Sequence, residues 1–183
     1  MNWQVLTQRK VRLPLGFLLA ALYLFLARPT PLTFWVGVGI AFIGLLIRGW
    51  AAGHIVKDDR LATTGPYAHT RNPLYFGSFL IAAGFAIAGR WPLLRVVVLF
   101  FVFVYWPTMQ KEHAYVRGRF PDQYPEYERN VPAFVPRPSP WRPAGRVEAE
   151  PFSFDRYMRH KEWQAALGFA GAVLWLVIRM RWT

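Results

Sequence analysis

The sequence predicts an all-α, polytopic integral membrane protein, and three observations carry that expectation. Hydrophobic residues make up 54% of the 183 and charged residues only 17%, which is too apolar for a water-soluble domain of this size. Five apolar stretches recur along the chain, flanked by Arg, Trp and Pro as membrane spans are. The net charge of +12, from 22 Lys and Arg against 10 Asp and Glu, collects beside those stretches. It lies at Arg9, Lys10 and Arg12, at Lys57 and Arg60, and at Arg156, Arg159 and Lys161. Basic residues so placed suit an anionic lipid surface, and without a nucleic-acid-binding signature beside them no nucleic-acid partner is expected. Cysteine is absent, which excludes disulfides, thiolate-ligated zinc and a cysteine nucleophile. No metal site is expected.

Each element follows from its own residues. Residues 1–12 read as a short basic lead to a first helix from Leu13 to Ala27, which lacks a small-x-small exit before Arg28 and is therefore read as retained. Arg28-Pro29-Thr30-Pro31 is a stiff connection to a second span from Leu32 to Trp50. Gly37, Gly39 and Gly44 on that span are spaced to let another helix approach closely in lipid. Arg48 near its end either snorkels to the interface or faces a substrate. The third span, Leu74 to Ala88, carries small residues at Ser78, Ala82, Ala83 and Gly84. Gly89-Arg90-Trp91-Pro92 is too short for anything but an antiparallel return into a fourth span ending near Trp106. Thr108 then reads as the N-cap of a polar helix that stops before Pro121 and puts Glu112, Tyr115 and Arg119 on one face. Residues 132–151 are proline-rich and read as an extended linker, and Ala165 to Ile178 is the fifth apolar stretch. One domain, 1–183, is expected, with its motif-bearing core at 40–136.

Between the second and third spans lies the stretch Gly53 to Gly77, a long polar interruption. Pro66 and Pro73 fix φ and push the preceding residues out of helical geometry, and Gly65 permits a turn that other residues resist. Between these corners sit Tyr67, His69, Arg71, Asn72 and Tyr75. On chemistry alone this is either an interfacial loop at the lipid headgroups or a grip for a ligand with an anionic end and a flat ring.

The segment GPYAHTRNPLYFG resembles the integral membrane methyltransferases that include the isoprenylcysteine carboxyl methyltransferases and the phospholipid N-methyltransferases. That pattern has Gly-x-Tyr, a spacer, Arg-His-Pro-x-Tyr and Gly; the chain has Gly65-Pro66-Tyr67, then Arg71-Asn72-Pro73-Leu74-Tyr75 and Gly77, with Asn72 for the His. Downstream the pattern has a Glu-Glu pair, Phe-Gly-x-x-Tyr-x-x-Tyr and Val-Pro. The chain answers with Glu112-His113, Phe120-Pro121-Asp122-Gln123-Tyr124-Pro125-Glu126-Tyr127 and Val131-Pro132, so His113 stands for the second Glu and Pro121 for the Gly.

The resemblance implies S-adenosylmethionine as cofactor, bound on the cytoplasmic side, and a lipophilic small-molecule or lipid acceptor. By motif position it places His54, Lys57, Leu61, Ala62, Tyr67 and Glu112 around the cofactor, with Arg71, Asn72 and Tyr75 completing the pocket. Arg71 and Glu112 are the residues on which catalysis is expected to depend, and Arg48 is assigned to the substrate. The N-terminus, residues 51–73 and residues 107–162 would then share the cytoplasmic side, where Lys and Arg are denser.

A lipid-linked carboxylate is ionised near neutral pH and needs only a cation to aim it, whereas an amine must first lose a proton. Arg48 and Arg71 can aim a carboxylate, and His54, His69 and His113 show no partner in sequence that would orient them as bases. The expected acceptor is therefore a small lipophilic carboxylate. The alternatives are phospholipid N-methylation, an NADPH-dependent enzyme of the sterol-reductase kind, and a non-catalytic membrane scaffold with a degenerate site.

Overall fold

A computed structural model describes residues 9–55, 60–89, 92–143 and 151–182, and among them the chain is helical with no strand. Helix α1 spans Arg9–Leu26, α2 spans Pro31–Ala52 and α3 spans Pro73–Gly89. Helix α4, Leu93–Phe100, runs through a π-helical turn at Phe101–Tyr105 into α5, Trp106–Arg119. Two short helices follow, α6 at Tyr124–Asn130 and α7 at Phe154–Arg159, before α8 at Trp163–Met180. Three helical segments are long and apolar enough to cross a membrane, namely α2, the continuous Leu93–Arg119 helix and α8. The apolar parts of α1 and α3, Gly16–Leu26 and Pro73–Gly89, are shorter.

The start of α2 is fixed locally. Thr30 accepts from the Thr33 amide at 3.3 Å while the Thr33 hydroxyl accepts from the Thr30 amide at 3.0 Å, and Pro31 occupies the first turn, where its missing N–H costs nothing. Helices α2 and α3 then pack backbone against backbone. A methyl group added at Gly37 would lie 2.4 Å from the Gly84 carbonyl oxygen, and one at Gly44 would lie 2.6 Å from that of Gly77. These pairings make the helices antiparallel and put both glycines of each on one seam, seven residues apart. Gly39, expected to share that role, faces open space instead.

The last helix is tied at one end to α2 and at the other to the residue that follows α1. Glu162, just before α8, grips Arg48 near the C-terminal end of α2, while Arg179 in its last turn donates to the Ala27 carbonyl at 3.2 Å. Helix α8 therefore runs antiparallel to α2. A buried apolar cluster of Ala27, Phe34, Ala88 and Leu176 closes that end of the bundle.

One expectation about local structure is corrected. Thr108 does not cap a new helix, because α4 continues through the π turn into α5 without a break. Its hydroxyl donates back to the Val104 carbonyl at 2.8 Å, the bond a threonine makes inside a helix rather than at its start. The polar segment is thus a rigid extension of an apolar helix, and this carries Glu112 and His113 directly to the mouth of the Gly53–Gly77 loop.

Candidate functional site

The described part of the loop after α2, residues 60–72, is shaped by its corners. Gly65 has φ +59°, the left-handed region that favours glycine, and a side chain there would lie 2.5 Å from the His54 ring. His54 is buried and its Nδ1 donates to the Trp50 carbonyl at 2.9 Å, which fixes the proton on Nδ1. The turn Gly65–Ala68 buries Pro66, Tyr67 and Ala68.

Tyr67 is 7% exposed, and its carbonyl accepts from the Tyr127 hydroxyl at 2.7 Å. Its own hydroxyl is buried and has no hydrogen-bond partner among the described residues. Burial, and then the fields of Glu112 and Glu162, hold the phenol well above its ordinary pKa, so it stays a proton donor across the neutral range.

Arg71 sits in a charged knot. Its Nη1 donates to the Tyr124 hydroxyl at 3.1 Å and to Glu128 at 2.6 Å, and Arg117 pairs with the other Glu128 oxygen. Burial alone would raise the Glu128 carboxyl, but hydrogen bonds and charge from Arg71 and Arg117 outweigh it and hold the pKa below the ordinary carboxylate value. The Arg71 Nε–H is buried and, like the Tyr67 hydroxyl, lacks a partner among the described residues.

The two sequence motifs meet through adjacent residues of α5. Tyr75 donates to Glu112 at 3.0 Å, and the Asn72 amide nitrogen lies 2.7 Å from His113 Nε2 and donates to the Ala133 carbonyl at 2.6 Å. Glu112 is exposed on the helix surface, whereas Asn72 and His113 are buried. Leu61 packs against the Tyr124–Tyr127–Val131 cluster beneath the loop, and Ala62 is half-buried beside it. Residues 132–143 of the proline-rich stretch lie along the loop: Arg137 and Trp141 donate backbone N–H groups to His69 and Ala68, each at 2.9 Å. Lys57, assigned to the cofactor by motif position, lies outside the described residues.

Arg48 stands apart from this group. Its Nε and Nη2 clamp Glu162 at 3.0 and 2.7 Å, and its Nη1 bonds Ser78. Arg48 and Ser78 also line a cavity of about 700 Å³ between α1, α3, α4 and α8, whose remaining wall is mostly apolar, with Phe85 and Phe169 beside the phenols of Tyr23 and Tyr105. The Tyr105 ring meets the Tyr75 ring edge-on at 5.6 Å. Tyr75 and Tyr105 therefore stand between this apolar cavity and Glu112. Among the described residues, no group of three or more His, Asp or Glu side chains is arranged to hold a metal ion.

The family model described as Phospholipid methyltransferase matches residues 31–123, which is more than half of the chain and contains the loop motif and Glu112-His113. The chain belongs to the phospholipid methyltransferase family. The match begins at the first residue of α2 and ends just past α5, so the part common to this family is the glycine-seamed helix pair, the loop and the helix that meets it. Among curated proteins, the cobalt-zinc-cadmium resistance protein CzcN of Cupriavidus metallidurans is 32% identical over 131 residues, covering 70% of this chain and 59% of that protein. The nickel-cobalt-cadmium resistance protein NccN of Alcaligenes xylosoxydans xylosoxydans is likewise 32% identical, over 70% of this chain and 60% of its own. The protein-S-isoprenylcysteine O-methyltransferase of Schizosaccharomyces pombe is 35% identical over 98 residues, covering 48% of this chain and 40% of that enzyme. The chain thus spans about three fifths of the length of the first two relatives and less of the third. No solved structure matches it.

Sequence reasoning did not single out Glu128 or Glu162, the carboxylates that hold Arg71 and Arg48. A signal existed for Glu162, the acidic residue at the entry of the fifth apolar stretch, where an ionised group needs a partner. Glu128 follows Tyr124 by one helical turn, so the two reach Arg71 together.

Proposed function

We propose that this membrane protein is an S-adenosylmethionine-dependent methyltransferase acting on a small lipophilic acceptor. The observation that carries the reading is a pair of buried donors, the Tyr67 hydroxyl and the Arg71 Nε–H, without protein partners in the loop that the family motif assigns to the cofactor. A donor buried without a partner costs stability, and a ligand with acceptor oxygens repays it. The cofactor, when bound, supplies a methyl group already activated on a sulfonium, so the protein's work is binding, orientation and exclusion of water.

In this reading Arg71 Nε–H and Tyr67 meet acceptor oxygens of the cofactor. His54, Leu61 and Ala62 form the floor beneath its ring, and Lys57 is assigned to it by motif position alone. Asn72 keeps the loop in register, and Tyr75 aims Glu112 at a donor group of the ligand. The acceptor enters sideways from the bilayer through the apolar cavity and reaches the cofactor past Tyr105 and Tyr75. The loop and α5 face the cytoplasm, and α1 and α3 cross the membrane with the three longer helices, giving five spans.

For the acceptor we keep a lipophilic carboxylate. Arg48, paired with Glu162 and Ser78 at the polar end of the cavity, is the cation on this entry path that would aim a carboxylate. The name of the Schizosaccharomyces pombe relative, an O-methyltransferase, points the same way. The test is transfer of tritiated methyl from S-adenosylmethionine to lipophilic carboxylates and to phosphatidylethanolamine. Product that releases its label in base supports the carboxyl ester. Base-stable label on the amine lipid assigns N-methylation instead, and no label on either class counts for a scaffold.

A further inference from the structure

The two departures from the motif touch each other. Asn72 replaces the motif's His and His113 replaces its second Glu, and the side chains of these two residues, 41 positions apart, are in direct contact at 2.7 Å. The orientation of the contact follows from a third group. The Ala133 carbonyl can only accept, so the atom facing it at 2.6 Å is the Asn72 amide nitrogen and not its oxygen. That NH2 group has two hydrogens, one for Ala133 and one for His113. His113 Nε2 therefore presents its lone pair, and the imidazole is the neutral tautomer with its proton on Nδ1.

We propose that Asn72 and His113 are a matched positioning pair, an exchange of the motif's His and Glu for Asn and His that keeps the donor on the loop and the acceptor on the helix. The consequence lies one residue away on each side. Asn72 follows Arg71 and precedes α3, whose Tyr75 holds Glu112, and Glu112 precedes His113. The Asn72–His113 bond thus pins the loop to α5 between the Arg71 knot and the Tyr75–Glu112 bond. The exchange also leaves a neutral acceptor where a second carboxylate would stand, next to the Arg71–Glu128–Arg117 cluster. His113 acts through Asn72, so it is a positioning residue and not a catalytic one.

This inference rests on the cofactor reading for its effect on binding, but its geometry is testable without it. In the full-length protein in detergent, Asn72→Leu and His113→Leu should each lower the melting temperature of the unliganded protein, and the double variant should lose no more than the worse single. Each single should weaken binding of S-adenosylhomocysteine about tenfold, the cost of one buried hydrogen bond. His113→Gln, whose amide oxygen still accepts, should bind like the parent, and Asn72→His combined with His113→Glu should recover most of the loss. Nitrogen-15 spectra of histidine-labelled protein, assigned with His113→Gln, should show the His113 proton on Nδ1. A proton on Nε2, strictly additive losses of stability, or an exchanged pair no better than the worse single overturns the pairing. If the parent binds no S-adenosylhomocysteine, the cofactor reading falls while the stability cycle and the tautomer still decide the pair.

Discussion

Replacing Tyr67 with phenylalanine should separate the fold from the site, because the two respond in opposite directions. The residue is 7% exposed, its carbonyl is held by Tyr127, and its amide donates to Thr64 at 3.1 Å; none of these bonds involves the hydroxyl. The hydroxyl itself is buried without a partner among the described residues. A buried hydroxyl left unpaired costs ~1–3 kcal/mol, so Tyr67→Phe should stabilise the ligand-free protein by about 1 kcal/mol at the low end of that range. For a chain of this size that is a rise in melting temperature of roughly 2–4 °C. With saturating S-adenosylhomocysteine that advantage should vanish, since the variant has lost a donor worth about fivefold to tenfold in affinity, or about 1 kcal/mol. The sign with pH also follows. The folded phenol titrates above its ordinary 10.0 and the unfolded one near it, so this group's contribution is complete below about pH 10 and is lost as the pH rises further. Tyr67→Phe should flatten that alkaline loss. Thermal melts with and without ligand read all of this, and a variant that is less stable alone yet binds S-adenosylhomocysteine like the parent would refute the assignment.

Other consequences are equally open to measurement. Gly84→Leu places a side chain 2.4 Å from the Gly37 carbonyl and 2.5 Å from the Ala41 amide, both backbone atoms, so it should cost at least ~1–3 kcal/mol or prevent α2–α3 pairing altogether. An unchanged melting temperature would mean that the seam is not where the helices meet. Arg48→Ala leaves Glu162 buried without its cation and should destabilise by roughly 2 kcal/mol, discounted because Arg48 is about a quarter exposed; Arg48→Ala with Glu162→Gln should recover part of this in thermal melts. The chain has no cysteine, so a single Pro140→Cys can be labelled cleanly, and it should react only from the cytoplasmic side if the proposed orientation holds.

Much of the fold was legible because lipid imposes a simple rule, that apolar helices must be long and must hide their backbone polar groups. Gly37, Gly44 and Gly84 were legible as small residues at helical spacing, yet sequence could not say that Gly77 joins the seam or that Gly39 lies off it, since rotation about a helix axis depends on its partner. Thr108 misled for a local reason, because the same hydroxyl that caps a helix start also bonds back one turn inside a continuous one. Around the site, the motif put Tyr75 and Glu112 in one pocket and marked Asn72 and His113 as anomalies, while only the structure shows that each is bonded across to its partner. Arg48 was legible as a charge at a membrane edge but not as half of a clamp on α8, because its partner lies 114 residues away.

Titration of the purified protein with S-adenosylmethionine, its demethylated product and NADPH, for the parent and for Arg71→Ala, puts the cofactor assignment at stake. The parent should bind the two adenosyl ligands and leave NADPH unbound, and Arg71→Ala, which removes the buried Nε–H donor, should lose the adenosyl ligands while retaining its helical content. Binding of NADPH alone, or adenosyl binding unchanged in Arg71→Ala, would contradict it.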